Sequence, residues 1–159
     1  MLVEIDIAEN AGDWPDVKDL AQRAITHVFD MLEMADVESE LSLVLTDDAE
    51  VQGLNAAWRK KDKPTNVLSF PAFEIEAGQK PGPMLGDIVL AYETVKREAE
   101  QESKSFEDHT SHLIVHGLLH LLGYDHENDT EAEHMEGLET TILGKMGIDD
   151  PYAPDDVAR

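Results

Sequence analysis

Apolar and polar positions alternate at the start of the chain, with Val3, Ile5 and Ile7 on one side and Glu4 and Asp6 on the other. A period of two over residues 2–7 predicts a half-buried strand. The period then lengthens. Val17, Leu20, Ala21, Ala24, Ile25, Val28, Phe29 and Leu32 recur every three to four residues. They predict an amphipathic helix to about Ala35, with Asp13 as its N-cap just before Trp14-Pro15. Alternation returns between Glu40 and Thr46 through Leu41, Leu43 and Leu45, a second strand. Asp47 and Glu50 have capping-box spacing for a helix to about Trp58. Val67 to Phe70 is a short third strand stopped by Pro71. Residues 72–86 hold Gly78, Pro81, Gly82, Pro83 and Gly86 and read as a mobile surface loop.

A fourth strand follows at Asp87–Ala91, then a charged helix from Glu93 to about Glu102 with Val95 and Ala99 as its thin apolar side. From Ser105–Asp108 to Leu122 the chain is apolar nearly all round (Leu113, Ile114, Val115, Leu118, Leu119, Leu121, Leu122), the mark of a buried central helix. Asp129 or Thr130 caps a last helix, with Thr130 and Glu133 as its capping box. Its buried stripe is Ala132, Met135, Leu138, Ile142, Leu143 and Met146, and Gly147 ends it. The acidic tail from about Asp149 reads as frayed. Four strands and five helices that do not strictly alternate predict an α+β fold. It would be a small mixed sheet packed with the helices around the central one, in a single domain over residues 1–159.

The central helix carries the chemistry. His116 and His120 stand one turn apart on one face. Gly123 falls where the helix would end and tolerates a left-handed reversal that can return His126 to the same point. Scattered core histidines are the plainer alternative, but unpaired imidazoles inside so apolar a run would be costly to bury. Three imidazoles with a fourth position open are the ligand set of a catalytic zinc, one per chain. The spacing matches the metzincin zinc-protease pattern except for its general base, because Gly117 stands where the glutamate belongs. His109 and His112 continue the stripe; His112 is expected beside the site or facing substrate, and His109 near its mouth or exposed. His27 and His134 fall off the apolar stripes and read as surface residues.

Composition adds constraints. The chain has 159 residues, no cysteine, and a formal charge of −23. Zero cysteines exclude thiolate zinc sites, cysteine nucleophiles and a disulfide framework. No apolar run is long enough to span a membrane and the N-terminus has no signal-peptide core, so a cytoplasmic location is expected. Only 12 residues are Lys or Arg, yet four of them are Arg59, Lys60, Lys61 and Lys63. Positive charge this scarce and this concentrated points to a phosphate-facing loop, against the plainer reading of a solvated turn.

The run His116-Gly-x-Leu-His120-Leu-x-Gly123-Tyr124-Asp125-His126 resembles the signature of the YbeY family, bacterial endoribonucleases that act as ribosomal RNA maturation factors. Arg59 to Pro71 and Leu85-Gly86-Asp87-Ile88 resemble two further family blocks, and the likeness covers about residues 40–152. The resemblance implies zinc held by His116, His120 and His126 and a part for Arg59 in activity; Arg59 and His116 are the expected catalytic residues, and the charge cluster makes Lys60, Lys61 and Lys63 the expected substrate-binding ones. It implies cleavage of single-stranded RNA, a part in maturing the 3′ end of small-subunit ribosomal RNA and in ribosome quality control, and ribosomal proteins or assembly factors as partners. A zinc-stabilised assembly factor without catalysis, and more remotely a zinc peptidase, are the alternatives.

Overall fold

The computed structural model describes residues 2–125 and 127–152. Its elements are β1 (Leu2–Glu9), α1 (Lys18–Met31), β2 (Glu38–Thr46), α2 (Asp48–Arg59), β3 (Val67–Pro71), β4 (Gly86–Ala91), α3 (Tyr92–Gln101), α4 (Phe106–Leu121) and α5 (Asp129–Lys145). The fold is α+β, with the four strands in one mixed sheet of order β1-β2-β4-β3. The β1/β2 and β2/β4 pairs are parallel, and β3 joins β4 antiparallel as an edge strand. Alternation along the strands divides the core. Leu41, Leu43, Leu45, Ile88 and Leu90 face a large cluster with α1, α4 and α5, whereas Val89 and Ala91 join Leu68 and Val51 of α2 in a smaller one.

The buried residues of α4 include Leu113, Ile114, Val115, Leu118, Leu119 and Leu121, as its apolar run predicts. Ser105 caps it by accepting from the Asp108 amide at 3.0 Å. A helix so enclosed is a fixed platform for the polar side chains it carries. No helix among the described residues is long and apolar enough to cross a membrane.

Boundaries differ from expectation in three places. Asp13 does not cap α1, which begins at Lys18 without a side-chain cap. Trp14 instead turns inward, donates Nε1 to the Thr46 carbonyl at 3.1 Å, and meets the rings of Tyr92 and Phe106. The helix also ends at Met31 rather than Ala35. Glu33 takes a left-handed φ of 58° and the Met34 amide reaches back to the Phe29 carbonyl, a closed C-terminal turn. Met34 and Val37 remain buried beyond it, which is why the apolar period outran the helix. Third, the segment expected as a mobile loop is tied down. Ser39 Oγ donates to the Gly82 carbonyl, and Glu40 exchanges backbone bonds with Pro83 and Leu85.

The cap of α5 is Asn128, not Asp129 or Thr130. Asn128 accepts from the Glu131 amide at 2.9 Å and its Nδ2 donates to the Glu131 carboxylate at 2.8 Å. The Asn128–Glu131 and Thr130–Glu133 pairs share one spacing, and the first closes the helix. Asn128→Ala is therefore expected to lower stability by about 1 kcal/mol, about 2–4 °C in melting temperature for a chain of this size. Thr130→Ala should leave it unchanged. Thermal unfolding of the two variants side by side checks the assignment, and equal losses would contradict it.

Candidate metal centre

His116 and His120 project from the last turns of α4 with their rings 4.6 Å apart. Each has its Nδ1 against an acceptor. His116 Nδ1 donates to Glu139 Oε2 at 3.0 Å, and His120 Nδ1 donates to the Tyr124 carbonyl at 3.0 Å. An acceptor at Nδ1 places the proton there and leaves the lone pair at Nε2. The two Nε2 atoms stand 3.1 Å apart, close enough for both to serve one cation. A carboxylate or carbonyl holding the far nitrogen is also how proteins orient metal-binding imidazoles. The donor set thus fits a borderline-soft divalent ion. His126 lies outside the described residues.

Glycine makes this geometry. Gly123 ends α4 at φ 96°, and the Tyr124 amide returns to the Leu119 carbonyl at 3.0 Å. That reversal delivers the Tyr124 carbonyl to His120. A Cβ at Gly123 would also lie 2.5 Å from the Ile75 carbonyl oxygen, so only glycine admits the close approach of the 72–85 segment. Gly117 has a different reason. A Cβ there would sit 3.1 Å from Ser69 Oγ and 3.2 Å from Ile88, because this face of α4 packs on β3 and β4. The position that would carry a protease's glutamate is crowded by Ser69 and Ile88 of the sheet.

Glu139 was not singled out in the sequence, although the signal was there: it falls on the α5 stripe between Met135 and Ile142. Its residue is wholly buried, and its carboxylate accepts from three side chains. Tyr152 donates at 2.6 Å and His112 at 2.7 Å to Oε1, while His116 takes Oε2. Burial alone would raise this carboxyl, but the hydrogen bonds from His112, His116 and Tyr152 outweigh it and hold the group at about 2. Burial likewise disfavours the charged form of His112, with Glu139 opposing. His112 therefore stands beside the site, engaged with a carboxylate rather than facing substrate.

His109, expected at the mouth or exposed, is buried. Its Nε2 donates to Glu98 Oε1 at 2.8 Å, and Asn66 Nδ2 donates to the same oxygen at 2.9 Å. Glu98, Glu102 and His109 bring ligand atoms within 4.8 Å of one another, a group among the described residues that could hold a metal ion. It is separate from the His116–His120 pair.

A cleft of about 790 Å³ opens over the paired imidazoles, lined by Arg59, Asn66, Ser69, Phe73, His116 and His120 among others. Arg59 is not in a loop: it is the last residue of α2, which Lys60 closes in a left-handed conformation at φ 58°. Asn55 Nδ2 holds the Lys63 carbonyl and so ties the basic turn back onto the helix. Among the described residues Arg59 is the one Lys or Arg lining the cleft, which also carries the carboxylates of Glu74, Asp125 and Glu127. Lys60, Lys61 and Lys63 are exposed and do not line it.

The sequence model of the family described as "Endoribonuclease YbeY" matches residues 4–147. A Rhizobium etli protein named "Endoribonuclease YbeY" is 65% identical over 118 residues, 74% of this chain and 69% of that one. Its Allorhizobium ampelinum namesake is 52% identical over 95% of each chain. A solution structure of a Thermotoga maritima protein shares the fold with a TM-score of 0.58 at 22% identity, covering 95% of this chain and 99% of that one.

The Glu98 network has a pH signature. Burial raises the Glu98 carboxyl, but hydrogen bonds from His109 and Asn66, with the charges of His109 and Arg97, bring it below its ordinary 4.5. A depressed carboxyl contributes stability that is complete above the ordinary value and is lost as pH falls through the lowered one. Glu98→Gln should therefore be less stable than the parent at pH 7, with the gap closing as pH drops below 4.5. Urea unfolding at neutral and acidic pH measures it, and a gap that does not change with pH would contradict the ionised pairing.

Proposed function

The chain belongs to the endoribonuclease YbeY family, and we propose that it is a zinc-dependent endoribonuclease that cleaves single-stranded RNA. Its substrate in this reading is small-subunit ribosomal RNA, matured at the 3′ end, with a further part in ribosome quality control. Ribosomal proteins or assembly factors are its partners, and the cytoplasm is its compartment. The observation that carries the reading is that Arg59 and the His116–His120 pair, distant in sequence, line one cleft.

His116, His120 and His126 hold one zinc per chain in this proposal. When bound, the ion supplies Lewis acidity toward a phosphoryl oxygen, or a bound water acidified to a pKa of about 7. The chain's own groups do the rest. Glu139 and the Tyr124 carbonyl fix the Nδ1 protons and keep each Nε2 a neutral donor aimed at one point. Arg59 presents parallel N–H groups to two phosphate oxygens and stabilises the charge that builds on them. The exposed ring of Phe73 in the cleft offers a face on which an unpaired base can stack, in keeping with a single-stranded substrate. Lys60, Lys61 and Lys63 lie outside the cleft and attract the backbone at longer range. A peptidase is disfavoured because the position of its glutamate is filled by the contact of Gly117 with Ser69 and Ile88.

Two variants separate the parts. His120→Ala is expected to lose both zinc and RNA cleavage. Arg59→Ala should keep its zinc and fold while cleavage falls by about 10²–10³-fold, the range for removing one donor to developing charge. Arg59→Lys should recover only part of that, since the charge remains but the planar fork does not. Cleavage of a labelled single-stranded RNA, with metal analysis of each protein, reads all three. Full activity in Arg59→Lys would reduce the arginine to a general attractor. An Arg59→Ala protein without zinc would favour a structural role for the metal.

A further inference from the structure

The chain beyond α5 does not fray where it is described. Gly147 turns it at φ 81°, and the Ile148 amide returns to the Leu143 carbonyl at 2.9 Å. Asp150 Oδ1 then accepts from Thr140 Oγ1 at 3.1 Å and from the Tyr152 amide at 2.8 Å, which fastens a turn against the outside of α5. Tyr152 stands at the end of that turn with 42% of its surface exposed. Its hydroxyl nevertheless reaches inward to the buried Glu139, 2.6 Å from Oε1. The ring meets His112 edge-on at 5.5 Å. Tyr152 lies past the residues 4–147 that match the family model.

We propose that Tyr152 is a positioning residue for the metal centre: with His112 it occupies Glu139 Oε1 and so fixes the carboxylate in the rotation that commits Oε2 to His116. The torsion that turns a glutamate carboxylate is soft and nearly two-fold, so the backbone of α5 does not set it. Its donors do. Two of the three converge on Oε1 from different elements, Tyr152 from the tail and His112 from α4, and leave the other oxygen facing His116 Nδ1. Removing the hydroxyl takes away one of these and lets the carboxylate rotate, and the imidazole it holds loosens in turn. Partners in the shell around metal ligands set affinity by about 10–100-fold. The inference rests on the proposed zinc site.

The test compares the full chain with Tyr152→Phe and Glu139→Gln. Zinc affinity is measured by competition with a chromophoric chelator, and the ligand field by the visible spectrum of the cobalt-substituted proteins. Phenylalanine keeps the ring against His112 and removes only the O–H. Tyr152→Phe is expected to weaken zinc binding by about tenfold, with a shifted cobalt spectrum, and Glu139→Gln by at least as much. Asp150→Ala, which unfastens the turn but keeps the tyrosine, should act in the same direction. A Tyr152→Phe protein with parental affinity and spectrum, beside a weakened Glu139→Gln, would make the hydroxyl a mere staple for the tail and overturn this inference alone. A parent protein that binds no zinc would overturn the zinc reading and this inference together.

Discussion

A wholly buried carboxylate organises the centre of this molecule. Glu139 sits among Met135, Ile142 and Leu143 on α5, where an ion without partners would be untenable. It is stable there because His112, His116 and Tyr152 all direct hydrogens at its two oxygens. Losing a partner from such a buried ionic node typically costs about 3–5 kcal/mol, although the intact node is often no better than an apolar contact. Its value lies in specificity. Apolar ridges of α4 and α5 could slide past one another, but a carboxylate that must meet both His112 and His116 accepts one register.

That register carries through to the proposed metal centre. With His116 held from α5 and His120 held by the carbonyl just past its own helix, the two imidazoles have no rotational choice left. Preorganisation of this kind keeps the ordering cost from falling on the moment of binding. The other wall of the cleft is set by the contact of α4 with the sheet. Gly117 lets Ser69 and Ile88 come close, and β3 in turn leads from the turn that follows Arg59. One small residue therefore brings the basic end of α2 near the histidines and at the same time removes the side chain a peptidase would need.

Charge works against any anionic substrate at long range, since the chain carries −23. At physiological ionic strength exposed charges are screened within about 8 Å, so the field inside the cleft is set by its own lining. There Arg59 faces a surface that also holds Glu74, Asp125 and Glu127. A divalent ion between the imidazoles would change that balance more than any side chain present. A basic partner could do the same for the outer surface.

Much of this was legible in the sequence. Strand and helix types follow from periods of two and of three to four, and the buried α4 from a run apolar on every side. His116, His120 and Gly123 were readable because a helical turn and a glycine reversal are local geometry, set within a few residues. The cap of α5 was readable to within two positions, since Asn128 and Thr130 offer the same chemistry at the same spacing, whereas that of α1 was not, because Trp14 turns inward instead. What depended on separation in sequence was not. Glu139 looked like one more charge on a helix until α5 was laid on α4, and His109 looked exposed until Glu98 came up beside it. Tyr152 belonged to a tail with every mark of disorder, and Arg59 to a loop. The sequence by itself marked His116, His120 and Arg59 as candidates, because helical spacing and a cluster of scarce cations are local patterns. Only tertiary packing decided which oxygen each ring nitrogen would meet, because a hydrogen bond is fixed in direction to within tenths of an ångström and no pattern of residue types carries that information.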